Sequence, residues 1–164
     1  MRKAHYILLA WIVVLCVGCE RTNWKSSVPD FAIRLEINTR TGMFVNFVPA
    51  NVGCYMTVDE AGFHLNGITQ PLTVMDAYGY AGTVIYIDGF HPYVAYDLCC
   101  PHCLKRDEPC YIDGMFAVCP VCGEQYDIYS GNGIPQKGIS REPLKDYLTT
   151  YNEATGMLYV NRKR

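Results

Sequence analysis

Apolar and polar residues alternate with period two from Phe31 to Ile37 (FAIRLEI), the pattern of a strand with one buried face. Further short runs of β-forming residues follow at Met43–Val48, Cys54–Val58, Pro71–Met75, Thr83–Ile87, Tyr93–Leu98, Met115–Cys119, Gln125–Tyr129 and Met157–Asn161. Gly, Pro, Asn or Asp separates most of them, as turns between strands require. Helical periodicity is absent from any segment longer than about ten residues. Leu144–Ala154 (LKDYLTTYNEA) is expected to form a short helix or an irregular turn. Short strands at this spacing predict an all-β sandwich or barrel. There is no internal repeat and no low-complexity tract.

The first residues break this pattern. Arg2 and Lys3 precede an apolar run, Ile7–Gly18, of 12 residues. A bilayer span takes about 20 residues, so the run fits the core of a signal peptide better. It ends LCVGC, and Gly18 directly before Cys19 resembles the bacterial lipobox, in which the cysteine becomes the lipid-modified N-terminus. Cys16 stands where that pattern usually has Leu, and Leu15 lies one position further back. The resemblance implies a signal peptide at 1–18, lipid attachment at Cys19 and a polar tether at 19–29. The expected location is the cell envelope, exported and held at the membrane by lipid. An uncleaved anchor and an ordinary secretory signal are the alternatives.

With 164 residues, half of them hydrophobic and 18% charged, the chain has the composition of one globular domain, assigned to residues 30–161. Its formal charge of −2 gives no electrostatic footprint for nucleic acid. No nucleophile–base constellation, phosphate loop or pair of catalytic carboxylates is present. A non-catalytic role is therefore expected rather than an enzyme in its own right.

Chemistry concentrates in LCCPHCLKRDEPCYIDGMFAVCPVCGEQYD, Leu98 to Asp127, which holds six of the nine cysteines. Setting aside Cys16 with the signal and Cys19 with the lipid leaves Cys54, Cys99, Cys100, Cys103, Cys110, Cys119 and Cys122. Thiols in an exported domain are expected on a metal or in disulfides. Two codes overlap. Cys100-x-x-Cys103 with Cys119-x-x-Cys122 spells a four-thiolate zinc site. Cys100-x-His102 with Cys119-x-x-Cys122 instead offers three thiolates and one imidazole. Against zinc, Cys103 can equally pair with Cys110 or Cys99 in an oxidising compartment, and a third reading is a metal-free lipoprotein stapled by disulfides. Cys54, in a β-run, is expected to be a buried apolar thiol.

Downstream, Cys119, Pro120, Gly123, Tyr126, Asp127 and Gly131, followed by Gly138, Pro143, Leu144 and Tyr147, resemble the second half of a Rieske domain. That family runs C-P-x-H-G-x-x-[FY]-D-x-x-x-G and then G-P-A-x-x-P-L-x-x-Y. Upstream, YVAYDLCCPH resembles the strand leading into the family's first ligand loop. The resemblance covers about Tyr93 to Tyr147. It implies a Rieske-like antiparallel β-sandwich or barrel base, with a small rubredoxin-like cluster-binding subdomain at about 98–131. It also implies a [2Fe–2S] cluster, one-electron transfer and a redox partner protein whose identity the sequence leaves open.

In the family two Cys hold one iron and two His the other. Carried over by position, Cys100 and Cys119 bind the buried iron, and His102 and Cys122 the outer one. Cys122 stands where the second His is usual. Gly123 and Tyr126 flank the centre, with Tyr126 as a hydrogen-bond donor. Glu124 takes the place of a Ser, and Gly138-Ile139-Ser140 that of Gly-Pro-Ala. An added thiolate and carboxylate both disfavour reduction, so the expected potential lies below that of ordinary members. Zinc on Cys100, Cys103, Cys119 and Cys122 remains the alternative cofactor, with the protein then a structural binding or assembly module.

Overall fold

The computed structural model describes residues 26–130 and 132–163. The expected signal peptide, the lipid site Cys19 and most of the expected tether lie outside the described residues. The described part is all-β, with thirteen strands in two antiparallel sheets. The strands are β1 (Ile33–Asn38), β2 (Tyr55–Asp59), β3 (Gly62–Leu65), β4 (Ile68–Gln70), β5 (Ala77–Tyr78), β6 (Thr83–Tyr86) and β7 (Val94–Asp97), then β8 (Tyr111–Asp113), β9 (Phe116–Val118), β10 (Gln125–Asp127), β11 (Ile134–Lys137), β12 (Asp146–Asn152) and β13 (Met157–Asn161). Nine of them form one sheet in the order β4-β3-β2-β6-β7-β12-β13-β1-β5. The small sheet has the order β11-β10-β9-β8.

The large sheet curls until its two halves share one core. Leu35 and Ile37 of β1 and Leu158 and Val160 of β13 meet Met56 and Val58 of β2, Phe63 of β3 and Ile85 of β6. On β1 the burial alternates residue by residue, as the FAIRLEI pattern predicts. By contrast, β6 and β7 are buried at every position. Ile85 and Ala95 face the base core, whereas Val84, Tyr86, Val94 and Tyr96 face the other way. There they meet Ala117, Tyr126, Ile128 and the thiols Cys100, Cys110 and Cys119. Two strands thus serve as a wall common to both parts of the molecule.

Three sequence expectations are corrected. Met43–Val48 is not a strand, for Gly42–Asn46 forms a 3-10 turn. Phe44 and Phe47, three residues apart, both reach the core, a spacing that suits three residues per turn. Pro71–Met75 makes a turn closed by the Asp76 carboxylate, which accepts from the Thr73 N–H and hydroxyl, both at 2.8 Å. Its Val74 is fully exposed, so no burial favours a strand there. Leu144–Ala154 carries the seven-residue strand β12, paired with β7 and β13. The Leu144 and Leu148 spacing imitates a helical face, yet Leu144 is buried and Leu148 lies exposed.

The end of the expected tether is docked. Val28 is buried against Ala81 and Cys99, and the Ser27 hydroxyl donates to Glu142 at 2.6 Å. Lys145 Nζ donates to the carbonyls of Val28 and Pro29 and to Asp30.

Candidate metal centre

Two five-residue turns built on one plan bring the thiols together. In Cys100-Pro101-His102-Cys103-Leu104 the Leu104 N–H donates to the Cys100 carbonyl at 2.9 Å. In Cys119-Pro120-Val121-Cys122-Gly123 the Gly123 N–H donates to the Cys119 carbonyl at 3.0 Å. Each turn closes on a left-handed residue, Leu104 at φ 55° and Gly123 at φ 73°. That conformation is free for glycine and costs leucine about 1–2 kcal/mol. The first turn leaves β7 through Leu98 and Cys99; the second is the tip of the β9–β10 hairpin, whose register pairs Gln125 with Val118.

The sulfurs of Cys100, Cys103, Cys119 and Cys122 all lie within 4.8 Å of one another. Cys100 Sγ is 3.8 Å from Cys122 Sγ, and Cys119 Sγ is 3.8 Å from Cys103 Sγ. Cys100 and Cys119 are buried, Cys103 is half-buried and Cys122 is exposed. The group therefore sits at a tip, closed on the inside and open at one corner. Burial alone would raise the Cys119 thiol. Backbone N–H groups of Cys122 and Val121, with the neighbouring thiols, nevertheless hold it below its ordinary value. Inward-pointing N–H dipoles of this kind favour the thiolate, the form that binds metal.

Cys99 and Cys110 are buried but stand outside this group. Burial and the Asp97 carboxylate push the Cys99 thiol up to about 12. All seven cysteines among the described residues are free thiols, with Cys103 directed at Cys119. Cys54 is half-buried beside the base core.

The remaining expected site residues surround the centre. Tyr126 is fully buried, and its hydroxyl lies 3.2 Å from Cys100 Sγ. His102 is exposed, with Nδ1 3.8 Å from Cys103 Sγ, and a ring nitrogen falls in a second group with Cys122 and Glu124. Glu124, a departure in sequence, has a structural task that spacing did not reveal. Its buried carboxylate accepts from the N–H groups of Ile139 and of Ser140, the latter at 2.9 Å. It thereby ties the loop after β11 to the centre, while Oε2 has no hydrogen-bond partner. Asp127 fixes a turn by accepting from Tyr129 N and Ser130 N at 2.8 and 3.0 Å.

Gly138 sits against that carboxylate at φ +122°. A Cβ there would overlap the Glu124 side chain. Gly138→Ala is expected to cost roughly 2–3 kcal/mol, combining backbone strain with overpacking. Urea denaturation measures it against Gly114→Ala, also left-handed at φ +58° but with open space around its Cβ. Equal losses in the two variants would remove the packing contribution assigned to Glu124.

Two other histidines are settled elsewhere. His64 is hydrogen-bonded to Asp59 and Thr69, and His91 to the buried Asp88. Neither approaches the thiols as a member of a ligand group.

Fold and site together define a small all-β domain that clamps a convergent thiol group between two loop tips. No family model and no curated protein matches the chain. Solved structures similar at low score include these two. A chain of the complex of reduced oxygenase and oxidized ferredoxin in carbazole 1,9a-dioxygenase has 18% identity and a TM-score of 0.45, covering 82% of this chain and 98% of that one. The Sphingomonas yanoikuyae B1 ferredoxin has 20% identity and a TM-score of 0.40, covering 71% and 94%.

Proposed function

We propose that the protein is a one-electron carrier, a divergent Rieske-type protein whose iron is held by the two cysteine turns. The observation that carries this reading is the convergence of buried Cys100 and Cys119 with exposed Cys122, under the Tyr126 hydroxyl. Bound iron supplies the redox chemistry, and the protein makes and breaks no covalent bond. Tyr126 donates to the Cys100 sulfur and withdraws charge from it, which favours the reduced state. Buried Cys100 and Cys119 keep water from the inner side. Cys122 brings the centre to the surface, where exposed Val121 and Leu104 form an apolar rim on which a redox partner can dock. The N-terminal pattern supports attachment through Cys19 at the cell envelope.

Anaerobic purification followed by metal analysis and a reductive titration tests this. Iron with a reversible one-electron transition is the expected result. A colourless protein with stoichiometric zinc would leave only the second reading, a structural staple, which four thiolates around one point also suit.

A further inference from the structure

We infer that the centre is mononuclear, with one ion held by the thiolates of Cys100, Cys103, Cys119 and Cys122 and with His102 outside the ligand set. The inference rests on the reading that the cysteine turns bind metal, and it fixes the number of ions and the ligands.

The first argument is metric. A tetrahedral ion with metal–sulfur bonds of about 2.3 Å has ligand sulfurs separated by about 1.63 times that length, or roughly 3.8 Å. Cys100–Cys122 and Cys103–Cys119 are both 3.8 Å apart. These pairs share no member, so they are opposite edges of one tetrahedron. The four remaining edges are no longer than 4.8 Å. A sphere of that size has room for one ion and none for bridging sulfides.

The second argument concerns pairing. A two-iron cluster carried over from the Rieske pattern puts Cys100 on one iron and Cys122 on the other. Two irons and their sulfides would then stand between sulfurs that are in fact neighbours. The same pattern gives Cys103 no task, although its sulfur faces Cys119. The residues therefore do not fit the family's cluster.

The third argument is the shared form of the turns. Each places cysteines at its first and fourth positions and closes with an N–H to the first carbonyl. Two turns of the same form facing each other bring four thiol donors to one point. Leu104 accepts a left-handed conformation that leucine otherwise avoids, and Cys103 immediately precedes it. The strain falls where the third thiolate must be aimed. His102, between the ligands of its turn, remains an exposed neighbour of Cys122 and Glu124.

The test uses the full chain purified anaerobically, with metal and acid-labile sulfide counted by native mass spectrometry and chemical assay. One ion per chain and no labile sulfide are expected. Cys103→Ala should lower metal content at least tenfold, whereas His102→Ala should leave it unchanged. Should Cys103→Ala fail to fold, X-ray absorption on the unaltered protein decides, with four sulfurs at about 2.3 Å and no metal–metal scattering expected. Two irons and two sulfides per chain, lost in His102→Ala and retained in Cys103→Ala, would overturn the inference and leave the electron-carrier reading standing. A single zinc would do the reverse. A chain without metal would overturn both.

Discussion

Asp97→Ala is expected to lower the unfolding free energy by roughly 4 kcal/mol, because a buried donor left unsatisfied costs about 1–3 kcal/mol. Asp97 is wholly buried at the end of β7, and four donors converge on its carboxylate. One oxygen accepts from Tyr80 N at 2.6 Å and from the Tyr147 hydroxyl at 2.5 Å. The other accepts from Ala81 N at 3.2 Å and Cys99 N at 2.8 Å. Alanine removes every acceptor at once, and some of the four donors are then rehydrated through the cavity. Asn is expected to cost less, about 2 kcal/mol, because it keeps one acceptor while turning an NH2 towards donors. Chemical denaturation of the three proteins checks the order. A loss below about 1 kcal/mol for Asp97→Ala would place the burden elsewhere, at the level of an ordinary surface change.

The second large effect concerns the metal that the proposed function puts on the cysteine turns. Stripping it with a chelator is expected to loosen the small sheet and spare the large one. Few buried apolar side chains belong to the small sheet itself: Ala117, Val118 and Tyr126, with Ile112 and Phe116 partly buried and Ile128 just beyond β10. Both of its edge strands, β8 and β11, are largely exposed. The base has its own continuous core from Leu35 to Val160. Ligand binding at 100 times Kd stabilises a fold by about 2.7 kcal/mol, so amides of Ala117 and Tyr126 should exchange about 100-fold faster without metal. Amides of Leu35 and Val160 should change little. Uniform acceleration across both sheets, or none, would contradict this division, and hydrogen exchange with site resolution distinguishes the cases.

Much of the architecture was legible because local pattern and burial agree. FAIRLEI alternates in sequence and in burial. TVIYI and YVAYDL lack alternation, and the reason is physical: both faces of β6 and β7 are covered, so no polar face is needed. Where the reading failed, tertiary context outweighed local chemistry. Phe44 and Phe47 share a face only because the chain turns with a three-residue period. Thr149, Thr150 and Tyr151 extend because β13, the next strand of a hairpin, offers them a ladder, while β7, far earlier in sequence, pairs with Asp146 and Tyr147. At the site, spacing revealed both ligand codes. It could not say whether His102 or Cys103 turns inward, since adjacent side chains differ only in direction. Glu124 looked like a carboxylate added in the place of a Ser, and only the fold shows it receiving the N–H groups of Ile139 and Ser140.

The wall common to both parts sets a limit on modularity. Residues 98–131 contain the cysteine turns, yet Val84, Tyr86, Val94 and Tyr96, which floor them, lie outside that span. A peptide of 98–131 carries the ligands without the floor. Grafting the two turns into a foreign scaffold therefore calls for transplanting a pair of strands with them. The site is built on the shared wall as much as on its own two turns.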